Sequence, residues 1–322
     1  MKFHKIILIA ILCLLISQEG FADWKKQDSG TLAWLHSIYF VDNDNGWIVG
    51  SNGTLLSTSD GGSTWIKRKI KTGDTFRDVY FSDAENGWIL CDRGAYDKES
   101  PSYLIMTTNG GKDWQTTDFS EGRERMVRFF VAPDRKVFSI GEGGVILQMQ
   151  GDGKPWKRSW LPVRYLILDG HFINASTGFL VGGGGTMLAT TDGGSSWSES
   201  KFAESRRRVK LNSLYFADQK TGWAVGNQGR IYSTNNGGNL WREQMTDVSS
   251  DLFDIGFADS IVGFAVGDNG IVLRTNTAGA KWTVERTGIR HKLERVLIHG
   301  TRGFAIGYGG TILTTEIPGS VQ

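Results

Sequence analysis

The segment GWIVGSNGTLLSTSDGGSTW (Gly46–Trp65) recurs along this chain, and the recurrence decides the fold. Each copy carries a GW or GF pair, two short apolar runs, a glycine-rich turn and a closing tryptophan. Self-similarity at roughly 40–50 residues, with four short strands in each unit, is typical of β-propeller blades. Further copies, whether close, distorted or partial, begin at Gly87, Val137, Gly178, Gly222, Gly263 and Gly303.

The first repeat illustrates the strands that we predict for one blade. An inner strand is expected at Ser37–Phe40, a second at Trp47–Gly50, a third at Thr54–Thr58 and an outer strand from Trp65. The composition agrees, because the 322 residues include 43 Gly but only 5 Pro, and Val, Ile, Thr and aromatic residues fall in short runs. Such runs indicate many brief strands joined by tight turns, and therefore an all-β protein.

The tryptophans that close the repeats set the number of blades. The last repeat ends before reaching a tryptophan, whereas the segment DWKKQ places one ahead of the first repeat. We expect this N-terminal segment to supply the outer strand of the last blade, because a closed ring protects its sheet edges. The prediction is a seven-bladed β-propeller closed by an N-terminal outer strand. The spacings are 41, 49, 42, 41, 44 and 41 residues, between Trp24, Trp65, Trp114, Trp156, Trp197, Trp241 and Trp282.

Residues 1–22 have the features of a secretory signal peptide, which leaves residues 23–322 as a single propeller domain. Lys2 and Lys5 precede the apolar run IILIAILCLLI, and small residues precede Asp23. Because the run is too short to span a bilayer comfortably, we expect a soluble protein exported to the periplasm or a lumen, with at most a peripheral association with membranes. We also expect it to be a monomer.

Cysteine usage adds one constraint on the mature protein. Cys13 lies inside the apolar run rather than at its end, which argues against a lipid-attachment site. Cys91 then remains without a partner for an intramolecular disulfide. We therefore expect packing alone to hold the fold.

The turn STSDGGSTW (Ser57–Trp65) has the Asp-box pattern T-x-[DN]-x-G-x-x-W, which recurs in the other repeats. Its Asp or Asn is expected to accept hydrogen bonds from nearby backbone N–H groups, its glycines to adopt positive φ, and its Trp to pack against the next blade. A motif distributed around a ring is not one assembled catalytic constellation. We therefore assign a structural role to Asp60, Asn109, Asp192 and Asn236.

The sequence offers little support for a metal, a cofactor or a nucleotide. The four histidines of the mature chain show no ligand-like spacing, and they are His36, His171, His291 and His299. The run GGGG lacks the Lys-Ser/Thr of a phosphate loop. Asp boxes also occur in glycosidases, so a sialidase-like or xyloglucanase-like hydrolase stays as the alternative. No Tyr-Glu pair of the kind that a sialidase requires stands out. We predict a non-enzymatic protein without cofactor or metal.

Charge is distributed along the chain in step with the repeat. The seven segments that link each blade tryptophan to the next inner strand hold 23 Lys and Arg against 12 Asp and Glu, whereas the rest of the mature chain holds 11 against 21. These segments lie at one end of a propeller, so we predict a basic face that steers an acidic partner. Export and a net charge near zero argue against nucleic acid. The candidate partner-binding residues are Arg77, Arg123, Arg125, Arg128, Arg164, Arg206, Arg207, Arg208, Lys210, Arg290 and Arg295.

The repeat GWAVGNQGRIYSTNNGGNLW (Gly222–Trp241), the signal peptide and the basic connections together resemble the photosystem II stability and assembly factor family. The resemblance covers essentially the whole mature chain. It implies a non-enzymatic lumenal or periplasmic propeller that binds a membrane-protein subunit or assembly intermediate, in the thylakoid lumen if the source is photosynthetic. Asp23 stands where some relatives carry a lipid-attachment cysteine. Carried over to this chain, the arginines of the binding face would be Arg77, Arg125, Arg128, Arg207, Arg208 and Arg295.

Overall fold

The chain folds into seven four-stranded antiparallel sheets, which confirms the predicted seven-bladed propeller. The computed structural model describes residues 23–94, 101–119, 123–150, 154–203 and 208–317. The predicted signal peptide, together with Arg206 and Arg207, lies outside these ranges. Consecutive inner strands contact one another around the ring, and the last contacts the first.

In the first six blades the strands run outward from the axis in chain order, and in the seventh blade the N-terminal strand takes the outermost place. The inner strands are β2 (Leu35–Phe40), β6 (Thr75–Phe81), β10 (Met126–Val131), β14 (Ile167–Phe172), β18 (Leu211–Phe216), β22 (Leu252–Phe257) and β26 (Leu293–His299). The second strands are β3 (Gly46–Gly50), β7 (Asn86–Asp92), β11 (Val137–Gly141), β15 (Gly178–Gly182), β19 (Gly222–Gly226), β23 (Gly263–Gly267) and β27 (Arg302–Gly307).

The two outer strands complete each sheet. The third strands are β4 (Thr54–Thr58), β8 (Ser102–Thr108), β12 (Val145–Gln150), β16 (Met187–Thr190), β20 (Ile231–Thr234), β24 (Val272–Thr275) and β28 (Ile312–Glu316). The outer strands are β5 (Ile66–Arg68), β9 (Gln115–Asp118), β13 (Lys154–Trp160), β17 (Ser198–Glu199), β21 (Arg242–Gln244), β25 (Thr283–Glu285) and, for the seventh blade, β1 (Lys25–Gln27).

The N-terminal strand closes the ring, as the tryptophan spacing predicts. β1 pairs antiparallel with β28, and the register places Lys26 opposite Leu313. Trp24, just before this strand, is buried and meets Phe264 of the sixth blade edge to face, with ring centroids 5.5 Å apart. The first and last segments of the described chain therefore share one sheet, and their pairing covers the edge that β28 would otherwise expose.

The glycine of each GW or GF pair is explained by close packing inside the blade. In the fifth blade a Cβ atom on Gly222 would lie 2.6 Å from ring atoms of Phe216, which belongs to the neighbouring inner strand. The following residue, Trp223, is fully buried and stacks on Phe257 of the sixth blade at 3.7 Å. The pair thus makes room for one aromatic ring and supplies another to the interface between blades.

The Asp-box turns have the hydrogen bonds that the motif predicts. Asp60 Oδ1 accepts hydrogen bonds from the Thr64 backbone N–H at 2.9 Å and from the Thr58 hydroxyl at 2.7 Å. The bonds from Thr64 are the main reason that the pKa of Asp60 is lowered to about 2. One expectation is wrong, because the box tryptophan packs against the preceding blade: Trp114 meets Trp47 at 6.0 Å. The turn of the second blade therefore lies against an aromatic ring of the first blade.

The two ends of the propeller differ in the connections they carry. The Asp boxes and the turns after the inner strands lie at one end, which we name the Asp-box face. The connections from each outer strand to the next inner strand, and the short turns after the second strands, lie at the other end. We name that end the basic face after the excess of Lys and Arg that the sequence predicts for these connections, and the axial channel opens there.

Candidate functional site

Each inner strand contributes one polar side chain to a ring around the propeller axis. In each of the seven inner strands, the pairing with the second strand shifts its register at one residue. The residue directly after that shift occupies the same position in every blade. We name these residues the axial ring. Its members, in order around the axis, are Ser37, Asp78, Arg128, Asp169, Ser213, Asp254 and Arg295.

The aspartates of the axial ring tie neighbouring blades together. Asp78 accepts a hydrogen bond from the Phe129 backbone N–H of the next blade at 2.7 Å, and from the Ser37 hydroxyl of the previous blade at 2.5 Å. Asp169 likewise accepts from the Leu214 backbone N–H at 2.9 Å. These bonds satisfy buried donors that the strand pairing leaves free.

Two arginines complete the axial ring and offset part of the negative charge of its three aspartates. Arg128 forms ion pairs with Asp169 at 2.9 Å and with Asp254 at 3.7 Å. Although burial opposes it, the charge of these aspartates raises the pKa of Arg128, which therefore stays cationic. Burial raises the pKa of Asp78 against the opposing charges of Arg128 and Arg295. The sequence placed Arg128 and Arg295 among the partner-binding residues, and the structure places both on the wall of the axial channel.

Above the axial ring, the channel widens into a cavity of about 300 Å³ that opens on the basic face. We name this cavity the basic funnel. Cations and apolar side chains line it together, with two carboxylates between them. Its lining is His36, Arg77, Arg125, Val127, Glu142, Leu166, Leu168, Lys210, Asn212, Phe253, Lys292, Glu294 and Arg295.

The buried carboxylate of Asp92 holds two arginines of the funnel, Arg77 from the second blade and Arg125 from the third. Asp92, at the end of β7, accepts from Arg77 Nη2 at 2.7 Å and forms an ion pair with Arg125 Nε at 3.2 Å. Burial by itself would raise the pKa of Asp92, but the hydrogen bond from Arg77 and the nearby cations hold it below its usual value. Asp92 therefore stays charged and fixes both guanidinium groups at the wall of the funnel.

The opposite wall combines cations with aromatic rings. Lys292 forms an ion pair with Glu294 at 2.8 Å, and its ammonium group lies 3.7 Å from the centre of the Phe253 ring. Burial is the main reason that the pKa of His36 is lowered to about 4, against the opposing charge of Glu294. His36 is therefore neutral near pH 7, and the positive charge of the funnel comes from Arg and Lys.

Of the remaining predicted basic residues, those within the described ranges lie on the basic face but outside the funnel. Arg123, Arg208 and Arg290 are exposed, and Arg208 lies 3.8 Å from Glu199. Arg164 stacks on Trp160 at 4.5 Å. Charge counting missed the apolar part of the funnel, formed by Val127, Leu166, Leu168 and Phe253. An alignment of the inner strands would have found these positions, because Val127, Leu168 and Phe253 lie one residue before the axial ring and Leu166 lies three residues before it.

Taken together, the axial ring and the funnel define a propeller that presents a cavity of mixed basic and apolar lining at one end of its axis. The family of Photosynthesis system II assembly factor YCF48 matches this chain over residues 16–122 and 148–245. The protein belongs to that family.

Individual relatives give a more detailed comparison. The Photosystem II assembly protein Ycf48 of Thermosynechococcus vestitus is 35% identical over 65 residues, which cover 20% of this chain and only 19% of that protein. Among solved structures, YCF48 bound to D1 peptide superposes with a TM-score of 0.76 at 20% identity and covers 91% of this chain and 94% of its own. Virginiamycin B lyase from Staphylococcus aureus superposes with a TM-score of 0.72 at 13% identity, with 92% and 100% covered. At these sequence identities, the structural similarity establishes a shared propeller fold and nothing further.

Proposed function

We propose that this protein is an extracytoplasmic, non-enzymatic assembly factor that holds a segment of a photosystem reaction-centre subunit in its basic funnel. The observation that carries the proposal is the convergence of Arg77, Arg125, Lys210 and Lys292 on one axial cavity with an apolar wall. Family membership supports the assembly role, and the signal-peptide pattern of residues 1–22 supports export.

The chemistry of the funnel suits a peptide that carries both carboxylate and apolar groups. Because Asp92 already holds Arg77 and Arg125, their guanidinium forks need little reordering to receive a carboxylate. Leu166, Leu168 and Phe253 provide apolar contact beside these cations. A peptide is also the ligand in the similar structure of YCF48 bound to D1 peptide, which supports a peptide ligand for this chain.

The carboxylates of the funnel fit binding better than glycan hydrolysis. Glu294 pairs with Lys292 at 2.8 Å, and Glu142 lies 3.6 Å from Arg125. Burial would raise the pKa of Glu294, but Arg295 and Lys292 hold it below its usual value. A general acid for glycoside cleavage needs a raised pKa instead.

A peptide-binding titration tests the proposal. The probe is a synthetic D1 peptide, measured by calorimetry with the mature protein at low and high salt. Lys210→Glu, an exposed funnel residue, should weaken binding roughly tenfold or more, since a bond to a charged group contributes about 1.5–3 kcal/mol. Arg286→Glu, on the same face but outside the funnel lining, is the matched control and should bind almost as the parent does.

Two results would overturn the proposal. One is equal binding by the Lys210→Glu variant and the parent at low salt. The other is turnover of a xyloglucan or sialoside by the parent protein, lost when Glu294 is replaced by Gln, which would support the hydrolase alternative.

A further inference from the structure

The basic face carries most of the large apolar side chains that the described part of the chain exposes. Among residues 23–94, 101–119, 123–150, 154–203 and 208–317, eight such side chains are at least half exposed. Ile66 and Val284 lie on outer strands, and Ile261 lies on the Asp-box face. The other five lie on the basic face, and they are Leu32, Trp160, Tyr165, Met245 and Tyr308.

These five side chains project at three separate places around the rim of the propeller. Leu32 and Tyr308 lie where the seventh blade meets the first, and Tyr308 belongs to the turn before β28. Trp160 and Tyr165 lie between the third and fourth blades, and Met245 follows the outer strand of the fifth. Three points around a ring define a plane. A flat partner can therefore contact all of them at once, whereas a peptide held in the central funnel cannot.

Trp160 shows how apolar and basic groups are combined on this face. It ends β13, opposite Val145, and so lies at the basic-face end of the blade. The guanidinium groups of Arg158 and Arg164 lie 4.4 and 4.5 Å from the centre of its indole ring. A half-exposed tryptophan flanked by arginines matches the side chains that proteins place at the boundary between water and lipid headgroups.

We propose that the basic face docks flat on an anionic lipid bilayer. Leu32, Trp160 and Met245 enter the headgroup layer, and the arginine and lysine side chains between them contact lipid phosphates. The charge asymmetry of the chain supports this orientation, because the blade connections carry an excess of 11 positive charges. The inference goes beyond the proposed function, since it concerns the rim of the face and not the ligand of the funnel. It also places the funnel opening toward the bilayer that would contain a membrane-protein partner.

Vesicle co-sedimentation tests this proposal with the mature protein. The probes are vesicles of phosphatidylcholine with phosphatidylglycerol, and vesicles of phosphatidylcholine alone. The parent should sediment with the anionic vesicles at low salt and be released by high salt. The variant Leu32→Ser/Trp160→Ser/Met245→Ser should lose this binding. The matched control Ile66→Ser/Ile261→Ser/Val284→Ser removes three exposed apolar groups elsewhere and should sediment as the parent does.

Three outcomes would overturn the proposal: no binding of the parent to anionic vesicles, unchanged binding by the basic-face variant, or an equal loss in the control variant. If the basic-face variant keeps vesicle binding but loses the D1 peptide, these side chains contact protein instead, and the proposal is wrong. Peptide binding is measured without lipid. The failure of one proposal therefore leaves the other standing.

Discussion

Asp254 and Val296 join the sixth and seventh blades at the propeller axis. Asp254 Oδ2 accepts the backbone N–H of Val296 at 3.0 Å, while Oδ1 accepts the hydroxyl of Ser213 from the fifth blade at 2.6 Å. One buried carboxylate therefore links three blades, and Asp78 and Asp169 make the corresponding bonds to the blades that follow them. The axial ring holds the blades in register where the strands are most crowded.

Replacing Asp254 with Ala should destabilise the propeller. The change leaves the Val296 N–H without its buried acceptor and removes one of the carboxylates that pair with Arg128, and each unpaired buried group costs about 1–3 kcal/mol, or more when it is charged. Urea denaturation followed by tryptophan fluorescence measures the loss. Asp247→Ala, at an exposed position on the connection before β22, is the control and should change the free energy of unfolding by less than about 0.5 kcal/mol. Equal stability of the two variants would show that the axial bonds contribute nothing.

Ring closure makes Trp24 far more important to stability than its position near the N-terminus suggests. Trp24 is 6% exposed, whereas Trp160 is 54% exposed. We expect Trp24→Ala to cost about 3–5 kcal/mol, as is typical for a buried tryptophan, and Trp160→Ala to leave the melting temperature nearly unchanged. Deleting residues 23–28 should destabilise the fold further and promote association through the exposed edge of β28. A monomer with an unchanged melting temperature after this deletion would contradict closure by β1.

The fold was predictable from the sequence because the same pattern of strands and turns recurs in successive repeats. The spacing of tryptophans was sufficient to predict that Trp24 precedes the strand that closes the last blade. The site was harder to predict, because the register shift in each inner strand breaks the alternation of side chains. Arg77 and Asp78 are adjacent in sequence, yet one lines the funnel and the other belongs to the axial ring. Charge counting cannot separate such neighbours, and so it grouped Arg128, which pairs with Asp169 inside the axial ring, with the cations that line the funnel.

Asp60 and Asp192 should make stability depend on pH in the acid range. Hydrogen bonds from Thr64 and Ser196 lower the pKa of both groups to about 2. Because these pKa values are lower in the folded state, their contribution is present above about pH 4 and is lost as the pH falls toward 2.

The double variant Asp60→Asn/Asp192→Asn isolates this effect. Asn109 and Asn236 accept the equivalent backbone bonds in their own boxes at 2.9 and 3.0 Å, so Asn should preserve the turn at pH 5. Urea denaturation at pH 5 and pH 2.5 should show a smaller acid loss in the variant than in the parent. The same acid loss in both proteins would mean that other carboxylates account for it.

Asp92 provides a test of whether peptide binding in the funnel depends on the positions of the funnel's cations or only on the number of charges. Asp92→Asn removes a negative charge, so a purely electrostatic funnel would bind the D1 peptide more tightly. We expect weaker binding instead, because Arg77 and Arg125 lose the carboxylate that fixes them, and reordering them adds an entropic cost to each contact. Dissociation should become faster, while association changes little.

Glu142→Gln is the matched control for Asp92→Asn, since it removes the same charge from the funnel without removing the anchor. Its carboxylate is half exposed and lies 3.6 Å from Arg125, and such exposed pairs contribute about 0–1 kcal/mol. Peptide affinity should stay the same or rise slightly in this variant. Both proteins are compared by surface plasmon resonance after their melting temperatures confirm that they are folded. If the Asp92→Asn variant binds the peptide as tightly as the Glu142→Gln variant does, the net charge of the funnel alone determines the affinity. The inference that Asp92 positions Arg77 and Arg125 is then wrong.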